Sequence, residues 1–99
     1  MAAEDFSIEI RGGAVARKQR VLAVPHQAQV RIAWSADRPM TVHLEGYDLS
    51  LVVRPESVEA MEFNAHITGR FAVHAHEGEE RGKHSHGRGA LLWLEVHPK

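Results

Sequence analysis

Apolar and polar residues alternate with a period of two along most of the chain. Phe6, Ile8 and Ile10 alternate with polar neighbours, as do residues 30–34. Because successive strand residues point to opposite faces of a sheet, this alternation predicts strands with one buried face. Six further runs have the composition of short strands, at residues 21–24, 41–44, 49–53, 58–63, 71–75 and 91–96. No segment has the 3.6-residue period of a helix. Seven or eight short strands separated by turn residues predict an all-β sandwich.

The length and composition predict one domain. Ninety-nine residues are enough to close a single core, so residues 1–99 are assigned to one domain. Residues 77–89 interrupt the strand pattern with a charged, histidine- and glycine-rich segment that is predicted to be a loop. The formal net charge of -1 gives no reason to expect nucleic acid as a partner. No apolar run approaches the roughly 20 residues that a membrane span requires. The sequence does not indicate the oligomeric state.

Histidine is the residue type that carries candidate chemistry. The chain has eight histidines and no cysteine. His74, His76, His84 and His86 fall within thirteen positions as two His-x-His pairs. Neutral imidazole is a common ligand of copper, zinc and nickel, so the crowding predicts a nitrogen-rich metal site. No serine or aspartate occurs in the sequence context of a hydrolase nucleophile or its base, and we do not expect an enzyme.

The order of motifs in the second half of the chain resembles the cupredoxin family. The tract 42–49 resembles the strand that brings the first histidine ligand in small cupredoxin-like proteins. The turn 53–57 resembles the Val-x-Pro-Gly turn of that family, with Glu56 in place of glycine, and residues 60–71 resemble the strand and tight turn before the metal loop. The resemblance covers residues 42 to 97 well and the first 40 residues only by strand pattern. It implies a Greek-key β-sandwich of seven to eight strands and copper as the ligand.

The chain departs from the family at the metal loop. Blue-copper members have a cysteine at the end of the strand that follows the Gly-x-Phe turn. Here that strand reads Phe71-Ala72-Val73-His74-Ala75-His76. A trigonal site of two histidines and one thiolate is therefore impossible, and electron transfer by the blue-copper route is not expected. Any bound metal must have mainly nitrogen ligands, with a carboxylate as a further candidate.

Five histidines are candidate metal ligands. His43 matches the family's first ligand and shares a strand face with Glu45, a candidate ligand or hydrogen-bond acceptor for His43. His74 and His76 share one face of their strand, and glycines flank His84 and His86 in the predicted loop. The alternative for all five is a set of solvated surface histidines, or a scavenging tract without fixed geometry. Three more histidines, at positions 26, 66 and 97, are expected to be ordinary surface residues.

These observations favour a copper-binding protein of the bacterial envelope. It would take Cu(II) or Cu(I) in transport, buffering or delivery, with a protein partner for delivery as a further expectation. No apolar leader follows Met1, and the small residues Ala2 and Ala3 match the start of a mature exported chain, so a periplasmic or otherwise exported location is expected. Two alternatives stay open: zinc or nickel in the same cluster, and a metal-free cupredoxin-like interaction module.

Overall fold

The computed structural model describes residues 3–78 and 89–98. Its strands are β1 (Ala3–Ile10), β2 (Val21–Pro25), β3 (Gln29–Ala36), β4 (Met40–Leu44), β5 (Leu49–Val53), β6 (Glu59–Asn64), β7 (Gly69–Glu77) and β8 (Leu92–His97). One turn of 3-10 helix, Arg17–Gln19, precedes β2. The eight strands coincide with the eight alternating or apolar runs, so the prediction of an all-β chain is confirmed. Among the described residues, no helix is long and apolar enough to cross a bilayer.

The strands form two sheets. One has three strands in the order β1-β3-β6, and the other has five in the order β2-β8-β7-β4-β5. The pairs β1–β3 and β2–β8 are parallel, and the remaining pairs are antiparallel. Only β4–β5 and β7–β8 are both consecutive in the chain and paired in a sheet. Every other connection passes from one sheet to the other, which is the pattern of a Greek-key sandwich.

The core lies between the inner faces of the two sheets. The three-stranded sheet contributes Ile8, Ile32 and Trp34, and the five-stranded sheet contributes Val42 and Leu92, each at most 1% exposed. Complete burial of one such side chain stabilises the fold by about 1.5–3 kcal/mol. The alternation seen in the sequence thus separates this core from the outward-facing residues of the same strands.

The two ends of the sandwich differ in which segments meet there. At one end, called the loop pole (residues 37–41, 76–78 and 89–91), Met40 pairs with Glu77 and the Gly78 N–H donates to the Pro39 carbonyl at 3.0 Å. At the other, called the far pole (residues 25–27, 64–69 and 97), the His26 N–H donates to the His97 carbonyl at 2.8 Å. Because the pairing of β4 with β7 extends to Met40, Glu77 belongs to β7. The predicted loop therefore begins one residue later than expected.

Candidate metal centre

Strands β4 and β7 place three of the candidate ligands on the outer face of the five-stranded sheet. Val73 is fully buried, so His74 and His76, which alternate with it and its neighbours, point outward. The register pairs His43 with His74 and Thr41 with His76. Side chains directly opposite each other have Cβ atoms about 4.5–5.5 Å apart, and diagonal neighbours about 7–8 Å. His43, His74 and His76, called the outer-face histidines, therefore lie side by side.

His74 is oriented by a carboxylate. Its Nε2 lies 2.7 Å from Oε2 of Glu45, and the two side chains are 33% and 54% exposed. An ionised carboxylate only accepts hydrogen bonds, so Nε2 carries the hydrogen and donates it. In the neutral imidazole the lone pair then lies on Nδ1. Histidines that bind metals commonly donate their second ring N–H to a carboxylate in this way.

His76 is oriented by the backbone. Its Nδ1 lies 3.2 Å from the carbonyl oxygen of Glu77, the last residue of β7. A carbonyl also only accepts, so Nδ1–H is the donor and the lone pair of the neutral ring lies on Nε2. In His74 and in His76, therefore, one ring nitrogen donates a hydrogen bond to an acceptor, and the other ring nitrogen has a lone pair that can bind an ion.

One hydrogen-bond partner of His43 comes from strand β5. Its Nδ1 lies 2.8 Å from the hydroxyl oxygen of Ser50, its cross-strand neighbour in β5. Glu45, predicted as a ligand or as a hydrogen-bond acceptor for His43, also contacts His74, which lies opposite His43 on the neighbouring strand β7. Sequence reasoning missed Ser50. The signal for it is the short β4–β5 connection, which places residue 50 opposite residue 43 once the two strands pair.

The described residues do not complete a metal site by themselves. Within residues 3–78 and 89–98, no group of three or more histidine, aspartate or glutamate side chains is arranged to hold an ion. A full set of ligands therefore requires rotation of the outer-face histidines or donors from elsewhere. The candidates His84 and His86 lie outside the described residues.

The inner face at this end does not fit a blue-copper centre. The inward-facing residues are Met40, which is 2% exposed, and Ala75, and they pack beside the fully buried Val73. Ala75 and Met40 offer one thioether and no thiolate or imidazole. Residues 3–78 and 89–98 therefore place no thiolate or imidazole of a trigonal copper site in the space between the sheets at the end of β7.

The other three histidines lie at the far pole and make contacts there. His26 Nε2 is 3.2 Å from the carbonyl oxygen of His66, and His66 packs edge-on against Tyr47 with ring centroids 5.2 Å apart. His97 Nε2 is 3.2 Å from a carboxylate oxygen of Glu95. The length of β7 separates these residues from His76. They provide matched controls for experiments on the outer-face histidines.

A cleft of about 510 Å³ opens at the loop pole. His76 and Glu77 lie on its wall, and Arg20, Met40 and Ala75 line it as well. Arg20 was not among the predicted site residues; it lies in the connection between β1 and β2. The candidate metal ligand His76 is thus shared between the outer face and this cleft.

Comparison with solved structures identifies the fold. The chain is similar to a copper-containing nitrite reductase from Thermus scotoductus SA-01, with a TM-score of 0.71 and 19% identity over 99% of this chain and 28% of that one. It is similar to a blue copper oxidase from Nitrosomonas europaea, with a TM-score of 0.65 and 15% identity over 98% of this chain and 39% of that one. A heme-copper terminal oxidase matches with a TM-score of 0.70 and 19% identity over 92% of this chain and 63% of that one.

These likenesses concern the fold, since all three identities are below 20%. The chain spans less than two thirds of the length of each of these three proteins. No protein-family model matches the sequence, and no curated protein matches it. The two-sheet topology, the order of motifs from Val42 onward and these structures agree on one conclusion: the chain is a cupredoxin-like β-sandwich, without the cysteine that a blue-copper site requires.

Proposed function

We propose that this domain binds copper through imidazole nitrogens in an exported compartment and acts in copper buffering or delivery. The observation that carries the proposal is the hydrogen bonding of His74 and His76. Each of these side chains donates one ring N–H to a fixed acceptor and directs the other nitrogen away from it. The outer-face histidines would hold the ion together with the predicted ligands His84 and His86.

The ligand type favours copper over other divalent metals. Nitrogen ligands bind Cu(II) most strongly in the divalent series, and imidazole also accepts Cu(I). The similar structures include a copper-containing nitrite reductase and a blue copper oxidase, which supports the same metal. Zinc or nickel in the same cluster is the competing hypothesis. A titration with equal amounts of Cu(II) and Zn(II), followed by electron paramagnetic resonance, separates these two metals, because bound Cu(II) gives a signal and bound Zn(II) does not.

A carrier role fits the residues better than electron relay or catalysis. The chain has no cysteine, so the ligand that gives blue copper its tuned potential is missing. His74 is one-third exposed, which leaves a bound ion open to exchange with a protein partner. The proposed role is therefore non-enzymatic, with copper as cargo.

The first test is a titration of the metal-free protein with Cu(II) at pH 7.5. The expected result is uptake of about one copper with the weak visible absorption of a nitrogen and oxygen site. Replacing all three outer-face histidines with glutamine should abolish stoichiometric uptake. The matched control replaces the three far-pole histidines with glutamine and should leave the uptake unchanged. Equal losses in the two triple variants would contradict a defined site.

Two further variants sharpen the assignment. Glu45→Gln removes the carboxylate that orients His74 and should weaken copper binding about 10–100-fold. Glu62→Gln removes an exposed carboxylate of the three-stranded sheet, where Glu62 pairs with Arg31. This variant should bind copper with unchanged affinity. A double replacement of His84 and His86 tests the loop. If it alone abolishes binding while the outer-face variant binds normally, the outer-face assignment is wrong.

A second candidate function is a metal-free interaction module. It is favoured by the absence, among the described residues, of a group of three side chains arranged to hold an ion. A ligand that binds only the folded state must raise its stability. An unchanged thermal midpoint in the presence of a tenfold excess of copper would therefore favour the module, and a raised midpoint would favour the copper carrier.

A further inference from the structure

The cleft at the loop pole has the size of a small-molecule site. Its volume of about 510 Å³ lies within the 300–1,000 Å³ range typical of ligand pockets. Met40, Ala75 and Leu91 give it an apolar floor, and Gly12 and Gly13 allow backbone to approach without side chains. An occupant would therefore bury an apolar body against the end of the sandwich.

The charged groups of the cleft favour an anion. Among the described residues 3–78 and 89–98, the titratable side chains that line it are Arg20, His76 and Glu77. Oε2 of Glu77 is already 3.6 Å from a guanidinium nitrogen of Arg38, which offsets its charge. His76 is engaged through Nδ1 with a carbonyl. The guanidinium of Arg20, by contrast, has no ion pair and no hydrogen bond in the part of the chain that the structure describes.

The backbone of Arg20 is held firmly at this position. Its carbonyl accepts a hydrogen bond from the Trp93 N–H at 2.8 Å, and its N–H donates to the Arg17 carbonyl at 3.2 Å. The side chain is therefore presented to the cleft from a fixed point between the 3-10 turn and β2. A planar guanidinium pairs with a carboxylate through two parallel hydrogen bonds.

We infer that this cleft binds a small monocarboxylate with an apolar body, with Arg20 pairing the carboxylate and the floor around Met40 covering the body. The site needs no metal and goes beyond the proposed copper function. Its test is therefore made on protein freed of metal with a chelator, so that failure of the copper proposal does not affect the result.

The binding experiment uses three probes that separate charge from body. N-acetyl-leucine has both, N-acetyl-leucinamide has the same body without the charge, and acetate has the charge without the body. Titrations are followed by amide ¹H–¹⁵N NMR. N-acetyl-leucine should give saturable shifts centred on residues 12–15, 75–77 and 89–91. The affinity of each of the other two probes should be lower by a factor of about ten or more. Shifts centred elsewhere, or equal affinities for acetate and N-acetyl-leucine, would overturn the proposal.

Matched variants test the role of the guanidinium. Arg20→Gln should lower the affinity for N-acetyl-leucine to that for the amide and leave the amide unaffected. Arg17→Gln, three residues away on the same turn and not part of the cleft, should bind like the unmodified protein. Ala14→Phe places a ring at the exposed wall of the cleft and should reduce binding of both leucine probes while Arg20 is retained. If both arginine variants lose binding equally, the carboxylate is held by general surface charge and the inference is wrong.

Discussion

Replacement of Gly46 by alanine should be among the most damaging small substitutions in this chain. Gly46 follows β4 in the turn to β5 and has a φ of +83°, in the left-handed region that side chains rarely adopt. A Cβ built at this position would lie 2.3 Å from Cδ1 of Phe71 and 2.7 Å from its Cε1. Both separations are far shorter than a van der Waals contact, so backbone strain and a steric clash act together.

The two effects can be given magnitudes. The left-handed conformation costs a residue with a Cβ about 1–2 kcal/mol. Inserting a methyl group into packed surroundings costs about 1–3 kcal/mol more. The Phe71 ring packs edge-on against Tyr47 with centroids 5.1 Å apart, so moving it away from position 46 would give up this contact. The expected loss is therefore about 2–5 kcal/mol of unfolding free energy, which is a large part of the stability of a small domain.

The assay is urea denaturation followed by tryptophan fluorescence, with Gly12→Ala as the control. Gly12 has a φ of +58°, and a Cβ there would meet nothing within 4 Å. It therefore incurs the backbone cost alone, and Gly46→Ala should be about 1–3 kcal/mol less stable than Gly12→Ala. Adding Phe71→Leu to Gly46→Ala should recover part of that difference. If the two glycine variants agree within about 0.5 kcal/mol, the clash with Phe71 is not a determinant of stability.

Two further predictions concern side chains that connect distant segments. Tyr47→Phe removes a hydroxyl that donates to the Ile67 carbonyl at 2.7 Å and accepts from the Ile67 N–H at 3.1 Å. The free energy of unfolding in urea should therefore fall by about 0.5–1.5 kcal/mol, and an unchanged value would contradict this. The hydrogen bond from the Gly12 N–H, with a smaller contribution from Arg38, lowers the pKa of Asp37. The ionised Asp37 therefore stabilises the fold at pH values above its ordinary pKa of about 4, and this stabilisation is lost as the pH falls through the lowered pKa. The stability difference between the unmodified protein and Asp37→Asn should therefore be constant above about pH 5 and shrink toward pH 3 in urea titrations, and a difference independent of pH would refute the assignment.

The strands were predictable from sequence because burial and alternation are local. Period two fixes which residues of a strand share a face, and this was sufficient to place His74 and His76 on the face opposite Val73. It was also sufficient to predict strands at residues 30–34 and 58–63, which the structure extends to 29–36 and shifts to 59–64. Small differences remained at strand ends, where pairing decides the boundary.

The neighbours of each strand were not predictable in the same way. The alternation of β4 does not indicate that β7 lies beside it, nor that His43 is opposite His74 in the register. Without that register, Glu45 could be assigned only to the histidine two residues away in its own strand. The parallel pairings of β1 with β3 and β2 with β8 left no sequence signal either. Pairing depends on contacts between segments distant in the chain, which one sequence does not contain.

The position of the histidines has a consequence for how any bound copper would behave. Ala75 points into the core at the end of β7, and His74 and His76 flank it on the opposite face. Adjacent residues of a strand thus face opposite sides of the sheet, one toward the interior and the next toward solvent. An interior site would exclude water and fix the geometry of the ion, which suits electron transfer. Imidazoles on the outer face, beside the exposed carboxylate of Glu45, leave the ion accessible to water and to incoming ligands. Such a site favours exchange of the metal, because a partner's donor atoms can replace these ligands one at a time.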